Sequence, residues 1–267
     1  MAEKWVNLKD KVVIVTGGSQ GIGEQMVDNL KNNEAKVIVA DVTANEKLLK
    51  ADNVTFVNCD VSNQKDVESM VQEVKSKFGK IDALINNAGV SRPRMLVDHY
   101  KQEKQYELDE KDFDFMVRIN QKGVFLCSQA ISREMIKQEY GVIINMSSEA
   151  GLQGSMGQSA YAGTKAAVHA FTLSWAKELG KFNIRVVGVA PGINERTPMN
   201  NDETFKALAY TRGMDSSNIS TDYEKTIPLG RPGKLDEIAD LISFLVSDHS
   251  SYITGTTINI TGGKSKG

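Results

Sequence analysis

Seven short apolar runs, separated by stretches of helical periodicity, recur along the whole chain. A strand that is apolar on both faces has to be buried on both faces. In alternation with helices, that condition is met by a parallel sheet with a helical layer on each side. The expected strands are residues 12–15, 37–40, 54–57, 83–85, 142–146, 184–189 and 256–260. Helices are expected from the first glycine-rich turn to about residue 32, then over about 64–78, 112–137, 159–181 and 235–247. The pattern predicts an α/β chain, one doubly wound domain over residues 1–267 with a seven-stranded parallel sheet. Only residues 42–53 join the second and third strands, near the minimum for a parallel crossover, so a loop or single turn is expected there. Two connections, about 91–110 and 194–226, are longer than a crossover needs. Both leave the carboxyl ends of strands, where binding loops sit.

Composition excludes several function classes. A net charge of −2 over 267 residues gives no electrostatic footprint for nucleic acid or an anionic membrane surface. No apolar run reaches the eighteen residues a membrane-spanning helix needs. The opening MAEKWVNLKDK has no apolar signal core, so a cytoplasmic product is expected. Cys59 and Cys127 lack metal-ligand spacing and are expected to be reduced, buried and inert, and no metal site is expected. The charged stretch 101–112 is read as a solvated loop and helix start.

The first strand runs straight into TGGSQGIG, with Gly17, Gly21 and Gly23 ahead of a helix. Small residues let backbone approach a pyrophosphate, and a helix N-terminus adds free N–H groups and partial positive charge. Gly17, Ser19, Gln20, Gly21, Ile22 and Gly23 are therefore candidate dinucleotide contacts. Asp41 ends the second strand; its carboxylate can accept both ribose hydroxyls and would repel a 2′-phosphate. With no Lys or Arg in the turn and Val42 after the aspartate, NAD is expected in preference to NADP. Asp60 and Val61, just past the third strand, are placed to meet adenine, although Asp60 or Ser62 could instead cap the following helix.

Tyr161 and Lys165 stand four residues apart on an expected helix, hence on one face. A phenol near pKa 10 is a poor base at neutral pH, and a fixed cation beside it favours the phenolate. Alone, such a pair can simply decorate a solvated helix. It gains meaning here from Ser148 thirteen residues upstream, the glycine turn and the strand order.

Taken together, TGGSQGIG, Asp60, NNAG (86–89), Asn120, Ser148, Tyr161 with Lys165, and Pro191-Gly192 resemble the short-chain dehydrogenase/reductase family across essentially the whole chain. The resemblance implies a Rossmann fold and a set of roles. Tyr161 would be the general acid/base, and Lys165 would lower its pKa and hold the nicotinamide ribose. Ser148 would bond the reacting oxygen, and Asn120 would anchor a water relay. Asn87, Ala88 and Gly89 would support the adenosine side, and Pro191, Gly192 and Ile193 would flank the nicotinamide. One position departs: where the family often has Thr four residues after the Pro-Gly glycine, this chain has Arg196, with Thr197 next. The family also implies a homotetramer, paired through the Tyr161 helix and its predecessor and through the last strand.

A narrower resemblance, in segments such as PRMLVD, INQKGVFLCSQA and IPLGRPGKLDEIADL, is to family members acting on phosphorylated sugar alcohols. Such a substrate needs a cation at one end and hydroxyl partners along its length. Arg92, Arg94 and Arg196 are the expected phosphate candidates, with Glu149 and Gln153 for the hydroxyls. The competing readings are a dehydrogenase for another sugar alcohol or a 3-oxoacyl substrate, and a non-enzymatic NAD(H)-binding redox sensor. An NADPH-linked reductase should carry a basic residue near Ser19 or Val42, and a sensor would tend to lose the catalytic set. His99 could touch substrate, His169 is expected to pack, and Met199 and Met214 are either a mobile lid or core filling.

Overall fold

The computed structural model describes residues 5–214 and 223–265. All seven expected strands are present: β1 (Val12–Thr16), β2 (Lys36–Asp41), β3 (Val54–Asn58), β4 (Ala83–Asn86), β5 (Gly141–Met146), β6 (Ile184–Pro191) and β7 (Thr256–Ile260). They form one parallel sheet in the order β3-β2-β1-β4-β5-β6-β7. This is the doubly wound Rossmann architecture. The chain leaves β1 towards β2 and β3 on one side and later returns to β4 on the other, so a crevice opens at the carboxyl ends where the order reverses.

Side chains alternate between the two faces of each strand, and each face has its own helical layer. Val13, Val15, Val37 and Val39 pack with Met26 and Leu30 of α1 (Gly21–Asn32) and Ile238, Ile242 and Leu245 of α8 (Leu235–Val246). Ile14, Ile38, Leu84 and Ile143 face the other layer. That layer is built from α2 (Gln64–Phe78), α4 (Val124–Gln138) and α6 (Ser159–Leu179). Each such buried aliphatic side chain contributes about 1.5–3 kcal/mol. As the short spacing implied, a single 3-10 turn at Leu48–Lys50 is all that joins β2 to β3.

Two expectations need correction. The helix expected over 112–137 begins at Glu110 and is not uniform. α3 (Glu110–Met116) passes through a π-helical segment, Val117–Gly123, into α4. The wider turn re-aims the side chains around it, which is why such segments gather at functional sites, and Asn120 lies in this one. The long connection after β6 also contains a helix, α7 (Asp202–Thr211), capped by Asn201. Residues 215–222 of that connection lie outside the described residues. A short helix, α5 (Glu149–Gln153), starts directly after Ser148. No described helix is long and apolar enough to cross a membrane.

Candidate active site

Above the carboxyl ends of the central strands lies a cavity of about 1180 Å³. Its floor is the glycine turn and the segment after β4. Gly17 adopts φ +62°, and a β carbon there would stand 2.8 Å from the Ala88 Cα. A side chain cannot fit, so the two backbones meet directly. Asn87 fixes that contact by donating from Nδ2 to Thr16 O (3.0 Å) and Gly17 O (2.8 Å). Ile22, Asn87 and Gly89 line the cavity, as do Pro191, Gly192 and Ile193 on its far wall. The remaining turn residues, Ser19, Gln20, Gly21 and Gly23, lead into α1 without lining the cavity themselves.

Asp41 sits at the end of β2 beside this turn. Its carboxylate accepts from Ser19 N (3.0 Å) and Val42 N (2.7 Å), so it is held in place by backbone, not by a cation. Lys47 pairs with Glu24 at 3.6 Å. Asp60 accepts from Ser62 N and Oγ (2.9 and 2.8 Å) and closes its own turn. The cap of α2 is Asn63, neither Asp60 nor Ser62.

Ser148, Tyr161, Lys165 and Asn120 converge at the inner end. Ser148 ends the turn after β5 and caps α5, its Oγ accepting from Ala150 N at 3.2 Å. A β carbon at Gly151 would stand 2.6 Å from Lys165 C, so α5 lies directly on α6 and holds Ser148 against Tyr161. Ser148 stands close enough to the Tyr161 hydroxyl to favour its ionised form. Lys165 is buried, donates to Met146 O at 2.7 Å, and holds its ammonium 5.9 Å from the centre of the Tyr161 ring. Asn120 is also buried. Its Oδ1 accepts from Val90 N (2.8 Å), and its Nδ2 donates to Val90 O (2.9 Å) and Thr164 Oγ1 (3.1 Å). Asn120 Oδ1 and Lys165 Nζ meet beside Gly89, 3.4 and 3.5 Å from where its β carbon would be.

Burial sets the electrostatics. Desolvation pulls the Lys165 ammonium down to about 8. It also pushes the Tyr161 phenol above its ordinary value; Ser148 works against that shift and the Glu149 carboxylate adds to it. The downward pull of Lys165 on the phenol, expected from the sequence, is not what governs Tyr161 in this geometry. The ammonium is aimed at Met146 O.

The substrate-side expectations fare unevenly. Arg92 and Arg94 do not line the cavity: Arg94 Nε pairs with Asp112 at 2.8 Å, and Arg92 is 4.0 Å from the same carboxylate. Arg196 lines the cavity but pairs with Asp202 and lies over the Phe205 ring. Glu149 lines it too, with its carboxylate bonded to Lys264 and to Ser265 Oγ (3.1 Å). Gln153 is an exposed residue of the wall. Thr197, one place late for the family pattern, reaches the glycine turn: its Cβ is 3.3 Å from where a Gly21 β carbon would be. Three cavity cations escaped the sequence reading, Lys206 of α7 among them. Arg212 follows α7, where Phe205, Leu208, Ala209 and Arg212 form one inward stripe; Lys264 follows β7. The i, i+3, i+4, i+7 spacing of that stripe was the available signal.

Elsewhere, His169 Nδ1 contacts Thr257 Oγ1 at 2.9 Å, a packing role, while His99 leans on Tyr100 away from the cavity wall. Met199 and Met214 are partly exposed members of the wall. Cys59 and Cys127 are free and buried, and burial pushes both thiols up, that of Cys59 to about 12. No metal-ligand cluster occurs among the described residues.

Residues 11–207 match the family model described as short chain dehydrogenase. The chain is 50% identical to sorbitol-6-phosphate 2-dehydrogenase of Klebsiella pneumoniae, over 98% of this chain and 99% of that one. It is 38% identical to a 3-oxoacyl-[acyl-carrier-protein] reductase of Thermotoga maritima, over 97% and 99%. Among solved structures, the 3-ketoacyl-(acyl-carrier-protein) reductase of Brucella melitensis complexed with NADH matches with a TM-score of 0.82 and 29% identity, covering 97% of this chain and 100% of that one.

Proposed function

The chain belongs to the short-chain dehydrogenase/reductase family, and within it we propose an NAD-linked dehydrogenase that interconverts D-sorbitol 6-phosphate and D-fructose 6-phosphate at C2. That it is an oxidoreductase of the nicotinamide-dinucleotide kind follows from the family. The finer reading rests on one observation above all: a buried tyrosine beside a serine that favours its ionised form, with a lysine one turn further along the helix, at the inner end of a cavity that has cations on its outer wall.

The residues fit a dinucleotide. Close approach at Gly17, the helix start behind it and the fixed Asp41 carboxylate form a cradle for pyrophosphate and adenosine ribose. When bound there, nicotinamide supplies the hydride acceptor. Tyr161, as phenolate, removes the proton of the C2 hydroxyl, and Ser148 Oγ holds the reacting oxygen. Lys165 would hold the coenzyme ribose, and its ammonium would give a proton to solvent held near Asn120 before accepting the one released by Tyr161. Asp41, with no cation beside it, favours NAD over NADP. Thr197, not Arg196, carries the hydroxyl on the coenzyme side of the loop.

For the phosphate, the arginines first expected are engaged with carboxylates. Arg212 takes their place. Among the described residues its side-chain hydrogen bond is a long one, 3.4 Å to Ser155 Oγ, and the Glu149 carboxylate acts on it through space. Ser155 lies just before α6, so Arg212 stands on the substrate side of Tyr161, and a guanidinium fork matches phosphate geometry. Two reduced, buried cysteines suit a cytoplasmic setting. Exposed Leu96 and Phe113, beside an apolar groove bounded by α6, suit the homotetramer we propose.

The test is NADH formation with sorbitol 6-phosphate, sorbitol and mannitol 6-phosphate side by side. The expected result is a kcat/KM for sorbitol 6-phosphate at least about tenfold above either alternative, as one charge-assisted contact provides. Arg212→Ala should raise its KM about tenfold or more, whereas Arg94→Ala should not. Equal rates with and without phosphate would remove the substrate assignment. Activity only with NADPH and a 3-oxoacyl thioester would replace it with the reductase reading.

A further inference from the structure

The segment after β7 does more than end the sheet. Gly262 and Gly263 both adopt left-handed backbone, φ +63° and +87°. A β carbon on either would press on Ile227 (2.7 Å) or Pro228 (3.1 Å), and Leu229 N donates to Gly262 O at 3.1 Å. This tight turn against 227–229 sends the chain back over the cavity. Lys264 and Ser265 then reach the Glu149 carboxylate, which also lies 3.2 Å from where a Gly192 β carbon would be. Glu149 follows Ser148 directly, so a carboxylate is held within the catalytic wall.

We propose that Lys264 is a positioning residue for catalysis: it neutralises Glu149 and draws its carboxylate onto the β7 side, which keeps negative charge away from the Tyr161 hydroxyl. The inference rests on the reading of Tyr161 as the catalytic base.

The surroundings of Tyr161 allow the role. From its own helix it meets Lys165, which is turned to Met146 O. From the β5–α5 turn Ser148 and, through space, the Glu149 carboxylate act on it. The elements on its other side present apolar groups: Met116 of α3, Val90 after β4, Leu108 and Ala150. Glu149 is thus the acidic group acting on the phenol, and it does so in the direction that disfavours phenolate. Both partners are largely buried, the Lys264 side chain 27% and the Glu149 side chain 13% exposed, so bulk solvent screens the pair little.

The sign follows. Oxidation needs phenolate, so kcat/KM rises with pH through the Tyr161 limb. Removing Lys264 leaves Glu149 with only the Ser265 hydroxyl and the through-space pull of the Arg212 guanidinium, so its charge is less compensated, which raises the phenol and moves the limb to higher pH. The experiment is the pH profile of kcat/KM for oxidation in the wild type, Lys264→Ala, Lys264→Arg, Glu149→Gln and the Lys264→Ala/Glu149→Gln double variant. Thermal unfolding and NADH binding serve as controls for each. Lys264→Ala should shift the limb up by about half to one pH unit, a loss of about 3- to 10-fold at a fixed pH on the rising side. Lys264→Arg and the double variant should return it to the wild-type position, and Glu149→Gln alone should move it down. An unmoved limb in folded Lys264→Ala, or a double variant that stays shifted, overturns the proposal; should Lys264→Ala not fold, an unmoved limb in Glu149→Gln does the same. A limb that persists in the residual activity of Tyr161→Phe would instead overturn the base assignment on which it rests.

Discussion

Lys165 is a charged residue that the fold buries at a cost. A pKa of about 8 in place of 10.5 corresponds to an upper bound of roughly 3 kcal/mol, because burial favours the neutral amine. The folded form releases its proton at lower pH than the unfolded chain does. Between about 8 and 10.5 the unfolded state therefore holds the extra proton, and stability rises with pH. Lys165→Met should be more stable than wild type by about 1–2 kcal/mol near neutrality, less than the bound because Met146 O loses its donor. The gain should shrink as pH approaches 10, measured by denaturant unfolding across pH. A variant less stable than wild type at pH 7 would show that the ammonium is not a strain on the fold. Asp41 gives a second test at this scale. Its carboxylate is fixed by two backbone N–H groups. Asp41→Ala should narrow the preference of kcat/KM for NAD over NADP by about tenfold or more, through lost ribose contacts and lost repulsion of the 2′-phosphate. An unchanged ratio would mean that selectivity lies elsewhere.

Among the elements, the two long connections are joined to each other. Tyr210 of α7 donates to Asp98 (2.9 Å) and accepts from Glu103 N (3.0 Å), and its ring packs on Tyr100 and Tyr106. The two connections are therefore tied together through α7, which carries Phe205 and Leu208 on its cavity side and is followed by Arg212. Tyr210→Phe should raise KM for the sugar phosphate several-fold and leave coenzyme binding unaltered, because its hydroxyl anchors to Asp98 the helix that carries Phe205 and Leu208 on the cavity wall. A change in NADH affinity equal to the change in KM would contradict that division. The strands were legible because continuous Val/Ile runs have one good solution. The π segment was not: residues 112–137 keep helical periodicity across it, and one wide turn leaves no mark in the pattern. α7 was hidden by its length and polar flanks. The pairings of Arg94 with Asp112, Arg196 with Asp202 and Glu149 with Lys264 were partly or wholly out of reach. Lys264 lies 115 residues from Glu149 in sequence, and only the return of the chain after β7 brings them together.

The whole molecule is a sheet whose strand order reverses at β1 and β4, with the glycine turn and Asp41 on one side of the reversal and the Ser148–Tyr161–Lys165 group on the other. Every candidate catalytic residue stands at a carboxyl end or on the helix that follows one. Their convergence was legible from spacing and from the family pattern together, while the direction of the Tyr161 shift required the burial that only the fold supplies. The most direct measurement is NADH formation from sorbitol 6-phosphate by Tyr161→Phe, alongside NADH binding by the same protein. Turnover should fall by about 10²–10⁴-fold with coenzyme affinity retained, since the substitution removes the hydroxyl alone. Activity above roughly a hundredth of wild type, in a variant that still binds NADH, would contradict the assignment of Tyr161 as the group that moves the proton.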